Sequence, residues 1–360
     1  MIYSYPDYYK KFRCIADKCP DTCCSDWQIV IDDESLEKYR NYAGEYRQTL
    51  HRNIQWEEGV FGHNRKGKCA FLRDDGLCDM YKHMGKDSLC TTCREYPRHT
   101  EEFENIREIS LSLSCPEVAR ILLQKTEPVT FVCEEDDEEE VFEDYDYFLF
   151  SNLEDIREEI LKLTQNREES LKVRIRKVLQ IGASTQRHYE EGNLIDWDEC
   201  EDTDKVCVKD EYEQFRKHMR FLSEELELLY QDWDDVLVES EVLLFDQGEA
   251  GFTENKKRFL AWWGNSSLPP LEIVLEQIVV YFISIYLLGA VYDGNILGKI
   301  DSAVGHVTVI FLLLLARWIK CSEKLEMEDL IELVYRYSRE IEHSDENLDR
   351  VEELDWFIRI

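Results

Sequence analysis

The chain of 360 residues has few basic side chains for its size. Its 43 Lys and Arg stand against 77 Asp and Glu, a formal net charge of −34. Proteins that bind nucleic-acid phosphates or anionic membrane surfaces rely on Lys and Arg, so this deficit argues against both kinds of partner. Hydrophobic residues make up 44% of the chain, which is enough to build folded cores and excludes wholesale disorder.

Two sequence signals are also missing. No G-x-G occurs among the 15 glycines, which excludes the glycine-rich phosphate loop of Rossmann-like nucleotide-binding folds. The first residues show no basic region followed by an apolar one, as a secretory signal would. We therefore expect a cytoplasmic protein whose cysteines stay reduced.

Cysteine, in contrast, is abundant and unevenly spread. The chain has 13 cysteines, of which nine precede residue 116. In a reducing compartment, clustered thiols are more often metal ligands than disulfides. Residues 1–125 are therefore predicted to form an irregular, cysteine-rich metal-binding module with short β segments. The nine predicted ligands are Cys14, Cys19, Cys23, Cys24, Cys69, Cys78, Cys90, Cys93 and Cys115.

The spacing of these cysteines limits the kind of centre. The two residues between Cys90 and Cys93 allow both sulfurs to face one ion or cluster. Adjacent side chains usually point apart, so Cys23 and Cys24 serve different centres, or one of them is not a ligand. Thiolate ligation suits zinc or an iron–sulfur cluster. The radical-enzyme triplet Cys-x3-Cys-x2-Cys is excluded, because Asp26 occupies its third position.

Short β segments are predicted at 27–31 and 109–114 from their apolar or alternating residues. Pro116 and Glu117 then predict a helix start, with the Cys115 thiolate stabilised at the helix entry and the helix ending near Leu123.

Residues 134–140 are all acidic. We interpret them as part of a solvated linker spanning 126–146, with a steering patch for a basic substrate as the alternative.

Residues 147–360 are predicted to form a helical domain, so the fold class is mainly α. Apolar residues recur at helical spacing in 153–179 and 215–237. The composition of residues 262–270 predicts a loop, and that of residues 292–295 predicts a turn. The apolar segments 271–291 and 303–319 approach the length of membrane spans, but their internal charges and sparse basic flanks favour buried bundle helices.

Several motifs resemble those of a known family. Near the N-terminus stand Cys69-Ala-Phe-Leu, Gly76-Leu-Cys78-Asp-Met-Tyr81, Cys90-x2-Cys93-Arg-Glu-Tyr-Pro97-Arg98 and Leu113-Ser-Cys115-Pro-Glu-Val. Near the other end stands Tyr337-Ser-Arg-Glu-Ile-Glu-His343-Ser. The first group is similar to the CxxCxxCC zinc/iron-chelating family, and both groups together resemble the flagellin lysine-N-methylases.

This resemblance implies methyl transfer from S-adenosylmethionine (SAM) to the ε-amine of flagellin lysines. It further implies a [4Fe–4S] cluster held by cysteines, with zinc as the alternative metal. Flagellin would be the protein partner, modified in the cytoplasm before export. The oligomeric state has no signature in the sequence.

Lysine methylation requires a deprotonated amine aligned with the methyl group, and carboxylate or phenolic oxygens can orient that amine. Glu276, Tyr281 and Tyr286 provide such groups within an apolar helical segment, and we predict them as catalytic residues. The alternatives are a surface or helix-end glutamate and ordinary core tyrosines.

Arg339, Glu340 and His343 lie in the C-terminal motif and are predicted to contact SAM. One alternative is packing, in which Arg339 and His343 dock the C-terminal helix onto the cysteine module. Another is a di-iron site, because Glu340 and His343 lie three residues apart, but that site needs a second copy of the pattern.

Two other functions remain open from the sequence. One is a metal-binding or electron-transfer protein without methyltransferase activity, and the other is a zinc-stapled interaction module. The four later cysteines, Cys133, Cys200, Cys207 and Cys321, are predicted not to bind metal.

Overall fold

The structure, a computed structural model, describes residues 1–25, 27–65, 67–137, 145–194, 211–230 and 232–356. Most of these residues are helical, which confirms the mainly α prediction. The α-helices are α1 (Asp33–Asn41), α2 (Arg47–Arg52), α3 (Asp79–Met84), α4 (Thr91–Glu95), α5 (Pro116–Leu123), α6 (Tyr147–Thr164), α7 (Leu171–Glu190), α8 (Glu211–Glu224), α9 (Trp233–Phe245), α10 (Gly248–Trp263), α11 (Leu271–Tyr286), α12 (Ala290–Asp293), α13 (Ile296–Lys320), α14 (Met327–Glu342) and α15 (Asp345–Glu353).

A small sheet joins distant parts of the chain. Its strand order is β4-β5-β1-β6, with β1 parallel to β5 and the other two pairs antiparallel. A separate hairpin is formed by β2 and β3. The strands are β1 (Ile2–Pro6), β2 (Ile54–Gln55), β3 (Val60–Phe61), β4 (Arg98–Phe103), β5 (Ile106–Leu111) and β6 (Phe131–Glu135).

Two of the β predictions need correction. Residues 27–31 form no strand; only Val30 makes an isolated bridge, because its partner strand β3 is two residues long. The strand predicted at 109–114 runs instead from Ile106 to Leu111. The chain then leaves the sheet and enters α5, with Pro116 in its first turn as predicted.

The segment 126–146, predicted as an acidic linker, contains the strand β6. Glu134 lies in β6, where its carboxylate accepts hydrogen bonds from Tyr5 and Lys10. Long-range pairing with β1 therefore orders this part of the chain, although all five residues of β6 are exposed. The remainder of the acidic run from residue 138 lies outside the described residues.

The described residues contain two separate hydrophobic cores. The smaller core belongs to the chain between residues 29 and 93 and consists of Ile29, Ile31, Leu36, Tyr39, Leu50, Ile54, Phe61, Cys69, Phe71, Met80 and Cys90. The larger core joins the helices after residue 145 to both flanks of this segment, including Tyr8, Phe12 and Leu113. The sheet and α5 thus pack with the helical bundle.

Helix α13 lies at the centre of the bundle and contacts α7, α9, α10, α11, α14 and α15. Segments 271–293 and 296–320 are long and apolar enough to cross a membrane, but 72% and 89% of their apolar windows are buried inside the protein. This burial favours the bundle-helix interpretation. The turn between them has Gly294 at φ 70°, a left-handed conformation that glycine adopts without strain.

The helix boundaries differ from the prediction in several places. The segment 153–179 is two helices, because α6 ends at Thr164 and α7 begins at Leu171. The segment 215–237 is likewise divided, since α8 ends at Glu224 and α9 begins at Trp233. Helix α10 was not predicted, and it ends at Trp263 inside the segment interpreted as a loop.

Candidate functional site

The carboxylate of Glu342 lies at the C-terminal end of α14, where the helical bundle meets the segment between β5 and α5. Tyr281 donates a hydrogen bond to its Oε2 at 2.6 Å, and Ser112 donates to the same oxygen at 3.3 Å. Ser338, one turn earlier on α14, donates to Oε1, and Tyr286 also hydrogen-bonds the carboxylate. Four hydroxyl groups therefore converge on one acid.

Glu342 has an unusual electrostatic environment for a carboxylate. In the part of the chain that the structure describes, no Lys, Arg or His forms an ion pair with it. Burial raises its pKa, while the surrounding hydroxyl groups partly offset the increase. Glu342 as a whole residue is half-buried.

Two of the predicted catalytic residues, Tyr281 and Tyr286, belong to this cluster. Both lie on α11, and burial raises the pKa of each hydroxyl well above its usual value. Tyr281 also accepts a hydrogen bond from the backbone N–H of Leu113 at 3.0 Å. These tyrosines therefore stay protonated and donate to Glu342, so their hydroxyl groups face a buried partner rather than outward as the core-tyrosine alternative expected.

The opposite side of the cluster comes from the loop before α5. The Ser112 hydroxyl lies 2.6 Å from that of Ser114, which is 3.0 Å from both the Tyr96 hydroxyl and Nε2 of His343. The His343 ring lies 4.7 Å from Trp27, and burial lowers its pKa to about 3, so it is neutral at physiological pH. A polar network thus connects Glu342 to the aromatic side chains of the cysteine-bearing segment.

A small pocket adjoins this network. Tyr8 lines this pocket, and the negative charge of Glu342 contributes to raising the pKa of the Tyr8 hydroxyl. Ser284 and Ile285 of α11 line another part of it. Glu101 and an ion pair between Glu108 and Arg157 also line this pocket. The pocket beside the cluster therefore carries acidic groups.

Arg339 connects α14 to the chain around the first cysteines. Its guanidinium is 1% exposed and pairs with the Asp21 carboxylate at 2.9 Å. It also donates to the carbonyl oxygens of Asp21 at 3.0 Å and Ser114 at 2.7 Å, and to the hydroxyl of Tyr230 at 2.5 Å. Arg339 and His343 thus dock the helix onto the cysteine-bearing segments, as the packing alternative predicted.

Glu276 lies apart from this cluster. Its side chain is fully buried, so the surface alternative was wrong. Arg167 contacts it at 2.7 Å and Arg174 at 2.6 Å, and Arg174 is itself 1% exposed. Both oxygens of this carboxylate are occupied by the two guanidinium groups, so neither is free to contact a substrate. The geometry gives Glu276 a structural role.

Glu340 also has a local structural partner. Its two carboxylate oxygens accept the backbone N–H groups of Leu229 and Tyr230, each at 2.8 Å. Burial raises its pKa to about 7, while these two hydrogen bonds oppose the increase. Its carboxylate is therefore occupied with fixing the loop before α9, and its role in binding SAM stays a prediction.

The nine early cysteines fall into two groups, with Cys23 and Cys24 on different sides of the division. The first thiol set consists of Cys14, Cys19, Cys23 and Cys115, and the charge of Arg339 acts on the last three. The second thiol set packs in or against the smaller core: Cys24, Cys69, Cys78, Cys90 and Cys93. The Cys23 and Cys24 thiols hydrogen-bond to each other across this division, and whether the two serve different centres stays a prediction.

The predicted metal centre is not confirmed by the side-chain positions. Within the described ranges, no three His, Cys, Asp or Glu side chains converge as metal ligands, and each cysteine there is free. Soft thiol groups in sets of four and five nevertheless fit zinc or an iron–sulfur cluster by donor chemistry. The expectation of a stabilised Cys115 thiolate was wrong, because burial raises its pKa to about 11 despite two backbone hydrogen bonds.

Of the later cysteines, Cys133 and Cys321 are exposed and lie far along the chain from both thiol sets. Cys200 and Cys207 lie outside the described residues.

The sequence reasoning missed Glu342 as a site residue. The available signal was its position inside the C-terminal motif, four residues after Ser338 on the same helix face.

The fold and site define a helical protein in which a thiol-rich segment docks against a buried cluster of one acid and two tyrosines. A family model described as the FliB lysine N-methylase C-terminal domain matches residues 157–356. This match covers more than half of the chain, which therefore belongs to the flagellin lysine-N-methylase family.

Similar curated proteins agree with this family. Over 127 residues the chain is 32% identical to proteins named lysine-N-methylase in Salmonella typhimurium and Salmonella choleraesuis. These alignments cover 33% of this chain and 31% of each relative, so the chain matches about a third of their length. The flagellar biosynthetic protein FliU of Salmonella muenchen is 32% identical over 75% of its own length and 33% of this chain. No solved structure matches the chain.

Proposed function

We propose that the protein is a protein-lysine N-methyltransferase that acts in the cytoplasm on flagellin, with SAM as methyl donor. The observation that carries the proposal is the Glu342 carboxylate, which two tyrosine hydroxyl groups contact and which forms no ion pair within the described residues. Membership of a lysine-N-methylase family and the names of the relatives support the same chemistry.

This cluster suits a lysine side chain. A lysine ammonium group has a reference pKa of about 10.4 and must lose a proton before its nitrogen can attack a methyl carbon. Glu342 has a raised pKa and is half-buried, so it can accept that proton. The incoming lysine would then give the carboxylate a positive partner. The Tyr281 and Tyr286 hydroxyl groups would hold the amine in line for attack.

In the proposed reaction one bond forms, one bond breaks and one proton is released. The lysine Nζ forms a bond to the methyl carbon as the carbon–sulfur bond of SAM breaks, and the sulfur leaves with that electron pair. The proton released from Nζ passes to Glu342 and then to solvent. The protein's contribution is therefore to bind the ammonium group, remove one proton and orient the amine.

We further propose that the first thiol set holds the [4Fe–4S] cluster that the family resemblance implies. Arg339 fixes both chain segments that carry these thiols, because Asp21 lies between Cys19 and Cys23, and Ser114 precedes Cys115. A nearby guanidinium would compensate the negative charge of four thiolates. When bound, such a cluster would supply a rigid cross-link at the edge of the Glu342 network.

The direct test is methylation of purified flagellin by the anaerobically purified protein with isotope-labelled SAM. Mass spectrometry of flagellin peptides should show labelled methyl groups on lysine, and flagellin with chemically blocked lysines should gain none. A protein with an intact iron–sulfur spectrum that transfers no methyl group would contradict the proposal. That result would favour the metal-binding or electron-transfer function.

A further inference from the structure

We propose that the outer edge of β4 binds the extended segment of a protein substrate that carries the target lysine, as an added strand of the sheet. The lysine side chain would then follow one face of the sheet toward Glu342. This inference rests on the proposed function, because it names the form in which the substrate presents its lysine.

Strand β4 lies at one end of the strand order, so its outer side faces no other strand among the described residues. The N–H of Ser112 donates to the carbonyl oxygen of Pro97 at 2.8 Å, just before β4 begins. Hydrogen-bonded pairs alternate along an antiparallel ladder, so this bond fixes the direction of every backbone group in β4. The N–H and C=O groups of Arg98, Thr100 and Glu102 therefore point away from β5.

These outward backbone groups are available to a further strand. Within the part of the chain that the structure describes, no atom hydrogen-bonds to the backbone N–H or C=O groups of Arg98, Thr100 and Glu102. Thr100 and Glu102 are also exposed as whole residues. A row of unpaired backbone groups at a sheet edge is the template on which an extended peptide adds as a new strand.

The edge of β4 lies beside the Glu342 cluster. The carbonyl of Pro97 is bonded to Ser112, whose hydroxyl donates to Glu342 at 3.3 Å. The next pair on the same face of the sheet is His99 opposite Ser110. An added strand would lie two strand spacings from β5, about 10 Å, which an extended lysine side chain and one hydrogen bond can span. A lysine opposite His99 would therefore point along this face toward Glu342.

The charges on this face suit an ammonium group. Glu101 shares the face of His99, lines the pocket beside the cluster and has a side chain that is 44% exposed. It contacts His99 at 2.5 Å, whereas the neighbouring acid Glu108 is already paired with Arg157. Arg98 belongs to the opposite face, where its guanidinium lies over two aromatic rings. Glu101 would thus give the entering lysine a carboxylate before it reaches the cluster.

The other edge strand, β6, lacks this relation to the cluster. The N–H of Asp136 donates to the carbonyl of Met1 at 3.0 Å, which directs the backbone groups of Phe131, Cys133 and Glu135 outward. Strand β1 separates β6 from β5, so a strand added there would lie three spacings from β5, about 14 Å. That distance is too long for a lysine side chain, and β6 therefore serves as the matched control edge.

Amide hydrogen exchange of the anaerobically purified wild-type protein tests the edge directly. The probe is a capped peptide of strand length with one central lysine flanked by Thr and Val, and its control is the same sequence with N-methylated backbone amides. The unmodified peptide should slow exchange of the Arg98, Thr100 and Glu102 amides, and the N-methylated peptide should not. Unchanged exchange in β4, or slower exchange in β6 instead, would overturn the proposal. Slow exchange in β4 without peptide, together with a dimer in sedimentation, would place a second copy of the chain on this edge and overturn it as well.

Proline variants then compare the two edges in methyl transfer. Thr100→Pro removes one outward N–H, a change that edge strands tolerate, and should raise the KM for the lysine peptide about tenfold with little change in kcat. Cys133→Pro removes the matching N–H from the exposed strand β6 and should keep the wild-type KM. Equal KM values for the wild type and a folded Thr100→Pro protein would contradict the proposal. A wild-type protein that transfers no methyl group would contradict the proposed function alone, because the exchange experiment does not depend on methyl transfer.

Discussion

Replacement of Glu276 by Gln tests whether this buried acid is structural. The substitution keeps the shape of the side chain but removes a charge that is fully buried and lies 2.6 Å from Arg174. The Arg174 side chain is 2% exposed and cannot reach water when its partner is neutral. Arg167 is 32% exposed and can turn toward solvent, so its own loss should be smaller.

The magnitude follows from this burial. Breaking a buried ion pair by removing one partner costs about 3–5 kcal/mol, because the remaining charge stays desolvated. The same helix offers a matched control, since the side chain of Glu272 is 60% exposed and lies 4.0 Å from Arg174. Glu272→Gln should therefore change the free energy of unfolding by less than about 1 kcal/mol.

Urea unfolding followed by circular dichroism measures both variants. We expect Glu276→Gln to unfold at clearly lower urea than wild type and Glu272→Gln to remain close to it. The methylation rate per folded molecule should be unchanged in Glu276→Gln. Wild-type stability combined with lost methyl transfer would refute the reasoning and return Glu276 to the list of catalytic residues.

Two further predictions concern the bundle. Burial lowers the pKa of His306 to about 3 and that of His218 to about 4, against about 6.5 in the unfolded chain. The stability that these neutral histidines allow is thus present above pH 6.5 and is lost as pH falls toward 4, by roughly 2 kcal/mol each at pH 5. Urea unfolding at pH 7.5 and 5 should show that His306→Gln loses less free energy of unfolding on acidification than wild type. An equal loss would contradict the lowered pKa of His306. Gly305→Ala would place a Cβ against the Trp356 ring and should lower the free energy of unfolding by about 1–3 kcal/mol. Gly264→Ala is the control, because its Cβ would meet no atom closer than 3.6 Å and the free energy of unfolding should hardly change in the same assay.

Local signals in the sequence predicted several elements well. Pro116 marks the start of α5, the apolar runs mark α11 and α13, and the composition around Gly294 marks the turn between them. Each of these depends on neighbouring residues or on helical periodicity, which a single sequence displays directly. The division of the chain into a module of 1–125, a linker and a helical domain stays a prediction.

Long-range pairing could not be predicted in the same way. The sheet joins Ile2 to Ile106 on one side and to Glu135 on the other, and no local pattern specifies such a register. The acidic residues of β6 have low strand propensity, so the sequence favoured a linker there. Tertiary pairing with β1 overrides that preference.

The candidate site likewise depends on long-range contacts that a single sequence does not display. Tyr281 and Tyr286 both contact one acid, and their catalytic role stays a prediction. The sequence favoured Glu276 as that acid, since it lies on the same apolar helix. Which of 77 acidic residues meets two arginines and which meets tyrosine hydroxyl groups depends on long-range contacts of α11, with Arg167 and Arg174 for Glu276 and with the end of α14 for Tyr281.

The central claim is that Glu342 accepts the proton of the substrate lysine, and its most direct test is methyl transfer by Glu342→Gln. With labelled SAM and flagellin at saturation, kcat should fall roughly 100-fold or more, since general bases contribute about that much. The unfolding transition and the iron–sulfur spectrum should stay near those of wild type, because the amide oxygen can still accept from the hydroxyl groups on one side and the amide NH2 can donate to a hydroxyl oxygen on the other. A folded Glu342→Gln protein that methylates flagellin at the wild-type rate would contradict the account.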